Sequence, residues 1–295
     1  MRQTARALAA CLAIALFPSP ALAWGFAAHR YIMRRAIDLL PPELKPFYVR
    51  YREEIVVRVL DPDLWRNVGW PEEPNHFVDF GVREYGPYPF TALPRDYGAA
   101  LGKFGRVTLE RNGLLPWREE EMFGNLRRAF EGMGRDAPYA VSDVVVFSAV
   151  AAHYMQDAYQ PLHATDNFDG GRTGQQGVHA RFERDLFERY EARLSISPAP
   201  LPPIASARDA AFDALLESFR LVDPLLAADR KAIAGRDVYD DAYFAAFFTN
   251  LKPLLEQRIG GAIAATAALI TGAWQLAGRP ALQMEIPRPV ERVRR

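Results

Sequence analysis

Residues 136–157 read DAPYAVSDVVVFSAVAAHYMQD, and this stretch decides the fold class. Asp136 with Pro138 opens a helix, since a proline is tolerated in the first turn and only there. The chain then runs apolar through Val144, Val145, Val146 and Phe147 towards His153 and Asp157. Those two residues are four apart, which puts an imidazole and a carboxylate on one helix face. Taken alone, such a pair is more often a surface or capping pair than a ligand set.

Helical signals continue in both directions. Residues 31–40 carry apolar side chains at helical spacing and stop at Pro41-Pro42, and 44–60 continue in the same style. Residues 176–194 are amphipathic and charged, while 205–228 and 240–277 read as two or three further long helices. Loops rich in proline, glycine and aromatics lie between them, chiefly 71–98 and 166–177. No strand alternation recurs and no internal repeat is present. Residues 259–274 are apolar but short and contain Gly260, Gly261 and Gly272, which favours a buried core helix over a membrane span. The expectation is an all-α fold, a single multi-helix domain with long loops over 24–280, followed by a basic tail at 281–295 with Arg288, Arg292, Arg294 and Arg295.

Composition fits that picture. Of 295 residues 49% are hydrophobic and 24% charged, the balance of a soluble chain able to bury a large core. Basic and acidic residues are equal at 36 each, so no net charge steers a polyanion, and any nucleic-acid contact must be local. The first 23 residues read as a signal peptide: Arg2 and Arg6 are basic, 7–17 is apolar, Pro18 and Pro20 break the run, and Ala21-Leu22-Ala23 is a small-x-small cleavage site. The chain is therefore expected to be exported, periplasmic or secreted, beginning at Trp24. Cys11, the only cysteine, lies inside that leader, so the mature chain has no disulfide despite an oxidising destination.

Only five histidines occur, and their placement is informative. His153 and Asp157 are followed by His163, just after Gln160-Pro161, and by His179 and Glu183, again four apart. Imidazole with carboxylate and no thiolate suits zinc at a catalytic site rather than a thiolate-rich structural one. Upstream, Asp61-Pro62-Asp63-Leu64-Trp65-Arg66 and Asn75-His76-Phe77-Val78-Asp79 add a histidine and several acids, and His29 opens the first helix. Cleavage after Ala23 would give Trp24 a free amine and a carbonyl able to chelate one metal.

With these motifs together, the chain resembles the superfamily that unites bacterial zinc-dependent phospholipase C with the fungal-type single-strand-specific zinc nucleases. The stretches that carry the resemblance are Trp24-Gly25 with His29, residues 62–66, 75–79, 153–157, 160–163 and 179–183. It covers residue 24 to about 190 and touches every histidine. The resemblance implies an all-helical, exported hydrolase with a trinuclear zinc cleft that cleaves phosphodiesters by a metal-bound hydroxide. One zinc would take Asp63, His76, His153 and one oxygen of Asp157, with Asp61 the alternative to Asp63. A second would take the amine and carbonyl of Trp24, His29 and the other oxygen of Asp157. A third would take His163, His179 and Glu183. Asp63, Arg66 and Asp157 are the catalytic candidates; Arg66 either enters the cleft or forms an ion pair with Glu72 or Glu73.

The substrate reading divides. Phe77 and Asp79 resemble the nuclease branch, where an aromatic ring stacks on a base and an acid binds its edge. Residues 176–183 and a glutamate as last ligand look more like the phospholipase branch. Single-stranded nucleic acid or nucleotides are the favoured substrate, a phospholipid head group the alternative, and a non-catalytic zinc-stabilised binding protein a third reading. No protein partner is evident.

Overall fold

The computed structural model describes residues 24–285; the leader, its cleavage point and residues 286–295 of the tail lie outside the described residues. The fold is all-α, one domain, and no strand occurs among the described residues. Its elements are α1 (Phe26–Leu39), α2 (Lys45–Arg50), α3 (Arg52–Arg58), α4 (Asp61–Asn67), α5 (Tyr97–Phe104), α6 (Arg106–Asn112), α7 (Leu115–Met133) and α8 (Ala140–Ala158). They continue as α9 (Val178–Ala180), a π-helical turn (Arg181–Leu186), α10 (Phe187–Tyr190), α11 (Ala207–Arg220), α12 (Val222–Ile233) and α13 (Asp241–Leu276).

α8 is the axis of the molecule. Every residue from Ser148 to Ala158 is buried, so this half of the helix has no solvent face at all. A helix apolar all round must be surrounded, and α7, α13, α3, α11 and α1 all pack against it. The helix begins at Ala140, later than its proline suggests, because Asp136 takes a positive φ of 54° and turns the chain first.

Between 97 and 133 the structure forms three helices that the reading of the sequence does not anticipate. Their signal is short-range: Asp96 accepts a hydrogen bond from Ala99 N at 2.7 Å, and Pro116 sits in the first turn of α7. Leu115, Met122, Phe123, Leu126, Phe130 and Met133 then line one buried face at spacings of three, four and seven. Burial of each such side chain contributes about 1.5–3 kcal/mol. The stripe includes one acid, Glu119, which is fully buried.

The C-terminal helices close the other side. Ser206 and Asp240 cap α11 and α13 by accepting from Asp209 N and Tyr243 N. α13 runs 36 residues and is long and apolar enough to cross a membrane, but 78% of its most apolar window is buried inside the domain, which makes it a core helix. Gly272 is required there: a Cβ would lie 1.9 Å from the Ile204 carbonyl oxygen, so only glycine lets the 195–206 strap cross the helix. Buried Arg258 ties α13 to its neighbours through the Tyr159 and Ala214 carbonyls, Ser218 Oγ and Glu217.

Candidate metal centre

Where α8 crosses α1, α3 and the start of α4, its last two turns present His153 and Asp157 to the interior. Asp157 Oδ2 lies 3.0 Å from His76 Nδ1 and 3.3 Å from His153 Nε2. Its other oxygen, Oδ1, lies 3.4 Å from His29 Nε2 and 3.8 Å from His163 Nδ1. One carboxylate thus joins four imidazoles, all of them buried.

Three of these imidazoles are oriented by a hydrogen bond from Nδ1. His153 Nδ1 donates to the Val59 carbonyl at 2.8 Å, His163 Nδ1 to the His76 carbonyl at 2.8 Å, and His29 Nδ1 to Gln156 Oε1 at 2.6 Å. Each bond commits Nδ1 and turns Nε2 to the interior, the nitrogen left for a metal, and His153 Nε2 there lies 3.1 Å from His76 Nδ1. His29 stacks on His153 with centroids 4.3 Å apart, which keeps both rings in register. Asp63, fully buried near the start of α4, lies 4.0 Å from His76 Nδ1. Asp61 points away to Arg58 at 3.4 Å and belongs to none of the groups.

His163, His179 and Glu183 form a group of their own. Pro161 opens a short 3-10 turn (Pro161–Ala164) that delivers His163, while α9 and the π turn deliver the other two. His179 Nε2 lies 2.7 Å and His163 Nε2 3.9 Å from Glu183 Oε2. Gln160 Nε2 contacts His179 Nε2 at 3.1 Å and Glu183 Oε2 at 3.0 Å, so an N–H donor stands at the atoms a cation would bridge.

Three buried sets therefore could hold metal ions: His29, His153 and Asp157; Asp63, His76 and His153; and His163, His179 and Glu183, each with ligand atoms within 4.8 Å of one another. Their chemistry fits a divalent cation. His29 Nε2, His76 Nε2, Asp63 Oδ2 and Asp157 Oδ1 are buried without a hydrogen-bond partner, and buried polar atoms are normally satisfied. The local field also calls for positive charge. Burial pushes Glu183 well above the ordinary carboxyl value, opposed by the Gln160 hydrogen bond and reinforced by Asp63 and Asp157. Burial works against a charged His153, yet Asp157 and Asp63 raise it all the same. Burial lowers His163 to about 3 and His179 to about 4, so both stay neutral with their lone pairs available.

The centre opens into a pocket. Its floor is His76, His163 and His179, its walls are Phe77, Leu162, Phe168 and Asp79, and Arg66 and Glu73 stand at one side. Arg66 meets both sequence-based alternatives: it lines the pocket while bonding Asp63 at 3.2 Å and Glu73 at 3.3 Å. Glu72 instead turns inward to the Tyr154 hydroxyl. Phe77 to Asp79 are held in place from both sides, Val78 N donating to His163 O at 2.9 Å and Asp79 N to Asn112 O at 2.7 Å. Burial and neighbouring Asp166 raise Asp79 to about 7.

Trp24 is fully buried, its indole donating to the Gln156 carbonyl at 2.9 Å and packing on Phe182. This ties the start of the described chain to Gln156, which precedes Asp157 and holds His29. Four contributing residues escaped the reading of the sequence. Gln156 and Gln160 sit inside the quoted motifs but carry no chemistry that marks them there. Phe168 lies in a glycine-rich loop, and Glu119 in a helix the sequence reading passed over. No protein-family model and no curated protein matches this chain.

Proposed function

We propose that the chain is a zinc-dependent hydrolase of phosphoesters, with single-stranded nucleic acid or nucleotides as its substrate. The observation that carries this reading is the gathering of three buried nitrogen and oxygen ligand sets, two of them sharing His153 and meeting at Asp157, behind an open pocket lined by His76, His163 and His179. Three zinc ions would be held: by Asp63, His76, His153 and Asp157; by His29, Asp157 and, after cleavage behind Ala23, the amine and carbonyl of Trp24; and by His163, His179 and Glu183. Zinc, when bound, supplies Lewis acidity and a water acidified to a pKa of about 7.

The remaining tasks fall to the protein. Arg66, held by Asp63 and Glu73, presents a guanidinium to the pocket, where it binds a phosphate and stabilises charge that develops on it. Phe77 and Phe168 offer ring surfaces at the pocket wall, and base stacking on an aromatic contributes about 1–3 kcal/mol per base. Asp79, raised to about 7, is partly protonated near neutrality and can therefore donate as well as accept a hydrogen bond from a base edge.

The test is a comparison of initial rates on single-stranded DNA and on phosphatidylcholine, using zinc-loaded protein that begins at Trp24 and a chelated control. Faster, chelator-sensitive DNA cleavage supports this reading. Faster lipid cleavage replaces it with a phospholipase C, and then Phe77 serves packing alone. Zinc content without hydrolysis of either points to a non-catalytic zinc-stabilised binding protein.

A further inference from the structure

Arg181 lies between two proposed metal ligands in sequence but faces away from them in space. His179 and Glu183 are each two residues from it, about 200° around the helix, so its side chain leaves from the opposite face. That side chain is buried and uses its whole fork. Nε and Nη2 donate to Asp229 Oδ1 at 3.3 and 3.1 Å, and Nε also reaches the Tyr243 hydroxyl at 3.1 Å. Nη1 donates to the Gln176 carbonyl at 2.7 Å and Nη2 to the Gln175 carbonyl at 3.1 Å. The Tyr239 ring lies 3.9 Å from the guanidinium carbon.

Asp229, fully buried on α12, is itself saturated. Besides Arg181 it accepts from the Tyr243 hydroxyl and, through Oδ2, from Gln175 Nε2 at 2.6 Å. The ligand-bearing segment needs such an anchor. α9 with its π turn is short, and it follows a loop in which Gly170, Gly174 and Gly177 all take positive φ. Asp169 holds its first turn through Gly177 N and His179 N, at 3.0 and 3.4 Å. Arg181 holds its back to α12, α13 and the loop at once.

We propose that Arg181 and Asp229 form a positioning clamp that sets the metal affinity of the His163, His179 and Glu183 group, separately from the two groups around Asp157. The inference rests on the metal reading of the site. A buried ion pair is poor evidence for stabilisation, since apolar residues of the same volume often serve the fold as well. Its fixed fork does specify geometry, which lysine cannot reproduce. Outlying partners that orient a ligand typically change metal affinity by about 10–100-fold.

The test replaces both partners together, R181M with D229L, so that neither charge is stranded, and adds R181K alone. Metal per chain is measured by plasma mass spectrometry after dialysis against graded zinc–chelator buffers, with near-ultraviolet circular dichroism reporting the fold. The clamp predicts a folded double variant in which one zinc binds about 10–100-fold more weakly and the others bind as in the wild type. R181K should show the same selective loss to a smaller degree, and it carries the test alone if the double variant does not fold. Wild-type affinity at every site in folded variants overturns the clamp, as does equal weakening of all the metals. A wild-type protein that holds no metal overturns the reading of the site, and the clamp with it.

Discussion

His153 donates one ring nitrogen to Val59 and turns the other to Asp157, so its replacement removes a ligand and leaves a buried carboxylate short of a partner. His153→Ala is predicted to lose metal and phosphoester hydrolysis together, the rate falling by more than about a hundredfold. Metal content and rate, measured on one preparation, check this; full zinc with an unchanged rate would contradict it. Glu119 makes a different prediction. It is fully buried, neither carboxylate oxygen has a hydrogen-bond partner, and burial with the Asp157 charge raises it well above the ordinary value. The folded state therefore keeps its proton where the unfolded chain, with an acid pKa of about 4.3, has lost it. Stability is lost on this account as pH rises above that point, at up to about 1.4 kcal/mol per pH unit. Glu119→Gln should thus be stabilising, by a margin that grows as pH rises above about 5 in chemical denaturation. A margin independent of pH would mean that Glu119 is ionised in the fold.

At the scale of elements, legibility followed the range of the signal. The apolar run ending at His153 and the proline stop at Pro41 are local, and they marked helices that the structure contains. The i,i+4 pairs also marked faces correctly, since His153 with Asp157 and His179 with Glu183 do point one way. Of the three helices over 97–133, α5 and α6 are each a turn or two with turn-rich sequence around them, whereas α7 is 19 residues long and its apolar stripe at helical spacing was legible but passed over. The π turn that carries Glu183 has no sequence signature. Gly113, at the junction of α6 and α7, shows how an element reaches the site. Its φ is 96°, and a Cβ would lie 2.1 Å from the Phe77 carbonyl oxygen. Gly113→Ala is predicted to push Phe77 to Asp79 from the pocket wall, costing about 1–3 kcal/mol. KM for an oligonucleotide should rise while metal content stays at the wild-type level; an unchanged KM would remove the 77–79 segment from substrate binding.

For the molecule as a whole, the five histidines are spread from 29 to 179, on α1, two 3-10 turns, α8 and α9, and only tertiary packing brings them together. The resemblance suggested that assembly, whereas spacing alone could offer only the pairs. Long-range partners such as Gln156 for His29 follow from tertiary packing and had no local signal. The centre also makes the stability of the fold depend on pH. His163 and His179 have folded pKa values of about 3 and about 4, against about 6.5 in the unfolded chain. They are neutral in both states above pH 6.5, so their contribution is intact there and is lost as pH falls towards 4. The melting temperature is therefore predicted to fall steeply between pH 6.5 and pH 4, with metal released over the same interval. A melting temperature flat down to pH 4 would mean that these imidazoles are not buried as described.

The most direct measurement is the zinc content of the folded chain beginning at Trp24, taken together with its melting temperature before and after a chelator. The three ligand sets predict three zinc ions per chain. With no disulfide in that chain, they also predict a melting temperature that drops when the zinc is withdrawn and recovers when it is restored. A folded protein that binds no zinc and melts at the same temperature with and without chelator would contradict the account.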